Sequence, residues 1–331
     1  LPQLFKENGY YTAAAGKVGH GYPLRNRSDA CWHEKMKHSR DPVHPDAPLN
    51  GWARNRKGKP TEKDWGPTHL PEAEMRDTQY ADFAVRQLRK KHDTPFFIAC
   101  GIFHPHFPWY VPQQYLDRYP LDDIAVPPIQ PDDQSDIPPA GLRLINEGLD
   151  KNIKKHGQVK QAIQGYLAST TYADAQVGRV LDALDKSPYK DNTIVVFLTD
   201  HGFHLGEKQH WAKGTLWEEA THSLLMFRVP GMTAPGTRCR RPVTLLDIYP
   251  TLVELTGLAP PGHLDGHSLV PLLKDPAAER AVPALTAFDS HMTVRTDRYR
   301  LIRYTDGTTE LYDREQDPHE WVNQTDNAAY A

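Results

Sequence analysis

The stretch Thr193-Ile194-Val195-Val196-Phe197-Leu198-Thr199-Asp200-His201-Gly202 decides how the rest of the chain is read. Its first six residues are rich in β-branched and aromatic side chains and follow Lys190-Asp191-Asn192, which predicts a strand buried on both faces. Polarity switches at Asp200-His201, and Gly202 lets the backbone turn away into the loop Phe203-His204-Leu205-Gly206-Glu207-Lys208. In an open α/β sheet ligands bind beyond the carboxyl ends of the parallel strands, so a carboxylate and an imidazole ending a buried strand can both project into a site. Oxygen plus nitrogen ligation suits a divalent cation, and Lys213 in Trp211-Ala212-Lys213 adds a charge able to hold an anion. On the residues alone, an ordinary strand end with a capping Asp is the alternative.

Upstream, Val159, Ile163, Tyr166, Leu167, Thr170, Ala173, Val177, Val180, Leu181 and Leu184 trace one face of a long helix that runs into this strand. Helix followed by strand is the order of a parallel α/β sheet, and Leu224 to Val229 continues it. Earlier strands are predicted at Tyr10 to Ala15 and at Pro95 to Gly101. Both end on chemistry-bearing residues. The first gives Gly16-Lys17-Val18-Gly19-His20, for which a solvated turn is the plain reading; the second gives His104-Pro105-His106, where prolines fix the pose of both imidazoles. A helical stripe at Ala81, Ala84, Val85 and Leu88 ends in the cations Arg89 to His92. Tyr22 to Leu70 and Val111 to Pro139 read as irregular, Pro-rich excursions. Leu246 to Leu255 reads as a helix closed by Gly257, and the alternating runs on either side of Asp306-Gly307 read as a hairpin.

At 331 residues the chain can hold one large α/β domain with a smaller appendage, and we expect a main domain over 1–282 and a small α+β subdomain over 283–331. A formal charge of -3 gives no overall pull toward nucleic acid or a membrane surface, so any anion binding must be local. No run of apolar residues is long enough for a transmembrane helix. Three cysteines, Cys31, Cys100 and Cys239, make no disulfide framework or metal spacing. The chain opens inside a helix that Asn8-Gly9 closes, which suggests a longer protein whose upstream part is missing.

Taken together and in this order, the words Leu4-Phe5-Lys6-Glu7-Asn8-Gly9-Tyr10, Gly16-Lys17-Val18-Gly19-His20, Pro105-His106-Phe107-Pro108, Asp200-His201-Gly202 with Leu205-Gly206-Glu207, and Trp211-Ala212-Lys213 resemble the type I sulfatases of the alkaline phosphatase superfamily. The two residues between Lys17 and His20, and His201 itself, are similar to the iduronate-2-sulfatase branch. That resemblance implies an alkaline phosphatase-like α/β fold, with a mixed, mostly parallel sheet between helices and a small C-terminal antiparallel subdomain. It also implies removal of sulfate from a sulfated sugar or glycan by a formylglycine beside one bound Ca2+. Asp200 and His201 would be ligands of that ion. Lys17 and Lys213 would stabilise charge on the transferring group, and His20 would orient the hydrated aldehyde and assist breakdown of the sulfated intermediate. His106 would contact the sulfate and protonate the leaving oxygen. Packing or substrate-side contact suits His104, His204 and His210 better than ligation.

The sequence departs from the family in two places. A Cys or Ser followed by x-Pro-x-Arg, the source of formylglycine, occurs nowhere, and no adjacent acidic pair stands where the family has two further metal ligands. Both are expected upstream of Leu1, and this stretch alone is expected to be inactive. Two other readings compete: a phosphatase or phosphodiesterase on the same fold, and a non-catalytic remnant that binds sulfated glycans. Periplasmic, secreted or lysosomal placement is what the family implies.

Overall fold

The computed structural model describes residues 1–19, 29–55 and 57–330. His20, a predicted site residue, lies outside them. The chain divides into two compact units, one of residues 1–126 with 155–192 and one of 127–154 with 193–331.

The first unit is built on a three-stranded parallel sheet in the order β2-β1-β4, with β1 at Tyr11–Gly16, β2 at Glu34–Lys37 and β4 at Phe96–Gly101. Short Ala13, Ala14 and Ala15 are fully buried in the central strand because both faces are covered. Helix α1 (Pro2–Glu7) lays Phe5 against Phe97 on one face, with ring centroids 4.9 Å apart. On the other, helix α2 (Arg76–Arg89) packs Tyr80 and Phe83 onto Ala13 and Ala15. The predicted stripe on α2 is present, with Ala81, Ala84 and Leu88 buried. Strand β2 lies inside what the sequence presents as an irregular excursion. Its Glu-Lys-Met-Lys has no apolar alternation because it is an edge strand that keeps one side in solvent.

Helix α3 (Val159–Asp185) forms where periodicity places it, but its buried face differs from the predicted one. Ala162, Ile163, Gly165, Ala168, Ser169, Tyr172 and Gln176 are buried, whereas Tyr166, Leu167 and Val177 are half-buried. Small residues win the inner face because α3 lies close against the strand pair β3 (Trp65–Pro67) and β5 (Trp109–Val111). A Cβ on Gly165 would stand 2.8 Å from that of Trp65.

In the second unit, β6 (Val195–Leu198) pairs with β7 (Leu225–Arg228), and the pairing is antiparallel. The expectation of a parallel strand buried on both faces is therefore corrected. Val195, Val196 and Phe197 are half-buried and Leu198 is exposed, because a two-stranded ribbon leaves strand faces open. Helix α4 (Ile248–Thr256) ends at Gly257 with φ +66°. The C-terminal sheet runs β11-β10-β9-β8, antiparallel throughout, from Ala284–Phe288, His291–Arg295, Tyr299–Arg303 and Thr309–Asp313. Its predicted Asp306-Gly307 turn is present, with Gly307 at φ +89°. Ile302, Tyr304 and Tyr312 of this sheet pack with Ile137, Leu216 and Trp217. Among the described residues no helix is long and apolar enough to cross a membrane.

Candidate active site

In the first unit, β1 and β4 run parallel with Gly16 opposite Gly101, so both strands end at one rim. A side chain at either glycine is excluded. A Cβ on Gly16, whose φ is +73°, would stand 2.0 Å from the Gly101 carbonyl oxygen, and one on Gly101 would stand 2.3 Å from Lys17 backbone. The Lys17 amide donates to the Gly101 carbonyl at 3.0 Å. The close approach places the half-buried Lys17 and the loop that carries His104 and His106 at the carboxyl edge of the same sheet. Strand β2 ends there as well, with Lys37 opposite Gly16.

Asp77 of α2 holds that loop. Its buried carboxylate accepts hydrogen bonds from the backbone amides of Phe103 (2.8 Å) and His104 (2.9 Å) and from His104 Nδ1 (2.7 Å). Burial lowers the His104 pKa, but the hydrogen bond and charge of Asp77 outweigh it, and the net shift is upward. His104 is thus an anchor, in keeping with the packing role expected of it. The half-buried His106 follows the anchor, and its Nδ1–H donates to the Phe107 carbonyl at 2.7 Å, which leaves the second ring nitrogen, Nε2, as the one on the other side of the ring. Its ring lies 4.7 Å from that of Phe103.

In the second unit, β6 delivers Asp200 and His201. The backbone there is tightly closed, with the Gly202 amide donating to the Ala220 carbonyl at 2.8 Å. A Cβ on Gly202 would meet the Glu219 carbonyl oxygen at 2.0 Å. His201 Nδ1–H donates to the Gly202 carbonyl at 2.7 Å, and His201 Nε2 stands 3.4 Å from Asp200 Oδ1. Two ligands each about 2.4 Å from a calcium ion and at right angles are about 3.4 Å apart, so the pair fits two adjacent positions on one such cation. The carbonyl behind Nδ1 fixes the tautomer a metal-bound imidazole needs. Among the described residues no group of three or more His, Cys, Asp or Glu side chains could hold a metal ion, so the pair is not by itself a complete ligand set.

Lys213 sits on a loop that two buried histidines close. The His204 amide donates to the Ala212 carbonyl at 2.9 Å, and its Nε2 lies 2.8 Å from Thr215 Oγ1. His210 Nδ1 accepts from the Asn146 amide at 2.8 Å, so its Nε2–H is the donor to the Lys213 carbonyl at 3.2 Å. Burial, with His210 beside it, drives the His204 pKa well down and keeps that ring neutral. Beneath the loop lies a residue that sequence reasoning passed over. Lys208 is buried, donates to Asp133 Oδ1 at 2.6 Å and to the Glu320 carbonyl, and lies 5.5 Å from the ring centres of Trp217 and Tyr312. Its φ of +54° was the hidden signal: only the folded loop shows why a lysine occupies a glycine-like conformation. Cys100 is not set up as a nucleophile. It lies within β4, where burial pushes its thiol up to about 12.

The α/β architecture is alkaline phosphatase-like. The phosphonate monoester hydrolase of Agrobacterium radiobacter superposes on all of this chain and 76% of its own with a TM-score of 0.76 at 21% identity, which is a likeness of fold. Within that class the chain belongs to the sulfatase family, which matches residues 1–258; the C-terminal region of N-sulphoglucosamine sulphohydrolase matches residues 206–331. A sulfatase of Formosa agariphila is 38% identical across 99% of the chain, and the human iduronate 2-sulfatase is 32% identical across 79%. The chain spans 66% and 55% of the lengths of these two relatives.

Proposed function

We propose that the protein to which this chain belongs is a sulfuric ester hydrolase that removes sulfate from a sulfated sugar or glycan. The iduronate-2-sulfatase branch is the best template for its specificity. The observation that carries this reading is the shared rim of β1 and β4, where Gly16 and Gly101 lie in register, Lys17 follows β1 and the loop bearing His106 follows β4. An ammonium and an imidazole at one edge are the groups needed to hold a tetrahedral anion and to hand a proton to its departing oxygen.

On this reading Lys17 and Lys213 offset the negative charge that builds on the sulfate oxygens. His106 binds the sulfate and gives a proton from Nε2 to the sugar oxygen as the S–O bond breaks, while the Phe107 carbonyl, accepting from Nδ1–H, stabilises the protonated ring. Asp200 and His201 hold one divalent cation, with Ca2+ the expected ion. When bound, that ion supplies Lewis-acid polarisation of the sulfate. The formylglycine nucleophile and the remaining ligands are expected in sequence outside these residues, and the role expected of His20 stays part of the proposal. Residues 1–282 serve as the sulfatase α/β domain and 283–331 as its C-terminal subdomain. A periplasmic, secreted or lysosomal site of action is part of the proposal.

The test is release of inorganic sulfate and of inorganic phosphate from matched sugar esters by the full-length protein. Preferential sulfate release supports the reading. Preferential phosphate release favours the phosphatase alternative, and binding of sulfated sugars with no release favours a glycan-binding remnant.

A further inference from the structure

Beside Lys17 and His106, the same rim carries an imidazole to which no role has been given. His38 follows β2 directly, and β2 pairs in parallel with β1 so that Lys37 lies opposite Gly16. His38 thus leaves the sheet at the edge from which Lys17 leaves β1. Its ring stacks on Phe103 with centroids 5.4 Å apart and planes inclined by 29°, and Phe103 in turn meets His106 at 4.7 Å. One phenyl ring therefore spaces His38 from His106. Arg40 lies 5.6 Å from that same ring and is paired with Glu62 at 2.5 Å.

The hydrogen bonds around Tyr80 set the tautomer of His38. The Tyr80 hydroxyl spends its proton on the Ser39 carbonyl at 2.7 Å and accepts from the Ser39 amide at 2.8 Å. It can meet His38 Nδ1, 3.5 Å away, only as an acceptor. Nδ1 therefore carries the proton and Nε2 carries the lone pair. Although the outer edge of the ring is exposed, burial of its packed side lowers the pKa. Asp77 opposes that effect, and the charges of Lys17 and Arg40 reinforce it. The ring is neutral around pH 7.

An acceptor nitrogen is a poor partner for a sulfate ester, which at neutral pH has only acceptor oxygens. It suits a group with a proton to give. We propose that His38 is a substrate-binding residue that reads the alcohol side of the ester, its Nε2 accepting a hydrogen bond from a hydroxyl of the sugar that bears the sulfate. This rests on the sulfatase reading for the anion itself. It assigns the β2 end to recognition of the sugar and the β1 and β4 ends to the charge.

The experiment is equilibrium binding to the full-length protein, by calorimetry, of glucosamine 6-sulfate, of methyl iduronoside 2-sulfate and of inorganic sulfate alone. His38→Phe keeps the stack on Phe103 and removes both nitrogens. His38→Gln keeps an acceptor near the position of Nε2. The expected result is that the Phe variant binds the better of the two sugar sulfates about tenfold more weakly, binds inorganic sulfate as the wild type does, and is rescued to within about threefold by Gln. Equal loss of sugar and sulfate binding, or no loss of either, overturns the proposal. So does a wild type that binds both sugar sulfates no more tightly than sulfate. Failure of the sulfatase reading shows separately, as sugar-selective binding that depends on His38 with no sulfate release.

Discussion

Asp77 is the residue on which the His106 loop depends most heavily, and Asp77→Asn tests that dependence. The carboxylate accepts three hydrogen bonds inside 3 Å, from two backbone amides and the His104 ring, and both side chains are buried, at 1% and 4% exposure. Asparagine offers one acceptor oxygen and a surplus donor, so it loses either the Phe103 amide, which Oδ1 accepts, or the His104 amide and ring together, which Oδ2 accepts, and in both cases it loses the charge. Breaking a buried pair by removing one member costs about 3–5 kcal/mol. For a domain of this size that is a fall in unfolding midpoint on the order of 10 °C. The loss also depends on pH. His104 has a folded pKa above its unfolded value near 6.5, so its ion pair stabilises the fold fully below that value and ceases to do so as pH rises through the folded pKa. In the Asn variant burial is opposed only by the charge of Asp41 and a hydrogen bond with the Tyr110 backbone, so the His104 pKa falls and acid becomes destabilising. Thermal unfolding followed by circular dichroism should show the gap between wild type and variant widest below about pH 6 and narrower above pH 8. A gap under about 1 kcal/mol at acid pH, or one that widens with rising pH, refutes the anchoring role.

Two further predictions concern the second unit and the cysteines. Lys208→Met leaves the Asp133 carboxylate buried without its cation and should lower stability by about 3–5 kcal/mol in urea, whereas Lys208→Met with Asp133→Leu should recover much of the loss; an unchanged single variant contradicts the cage described here. Burial raises the Cys100 thiol to about 12, so the native protein at pH 8 should resist alkylation at Cys100 while exposed Cys239 reacts; mass spectrometry of both peptides checks the order.

Much of this was legible from residue types. The strand ends at Gly16-Lys17, Gly101 and Asp200-His201, the extent of α3, and the Asp306-Gly307 hairpin follow from period, glycine and abrupt polarity change. What sequence could not show was pairing and side. Strand β2 has no apolar alternation, so His38 was invisible as a rim residue until its register with β1 was known. The inner face of α3 is set by how closely Trp65 approaches Gly165, a contact distant in sequence. β6 looks like a buried parallel strand because Val, Ile and Phe serve equally in an open antiparallel ribbon. Lys208 and Asp133 lie in polar loops 75 residues apart, and nothing local marks either as buried.

The account rests on Lys17 and Lys213 both acting on the sulfate that is transferred. In the full-length protein, sulfate release from the best sugar ester should fall about a hundredfold to a thousandfold for Lys17→Ala and for Lys213→Ala, with circular dichroism unchanged, and the double variant should be less impaired than the product of the two. Near wild-type release by either folded single variant contradicts it.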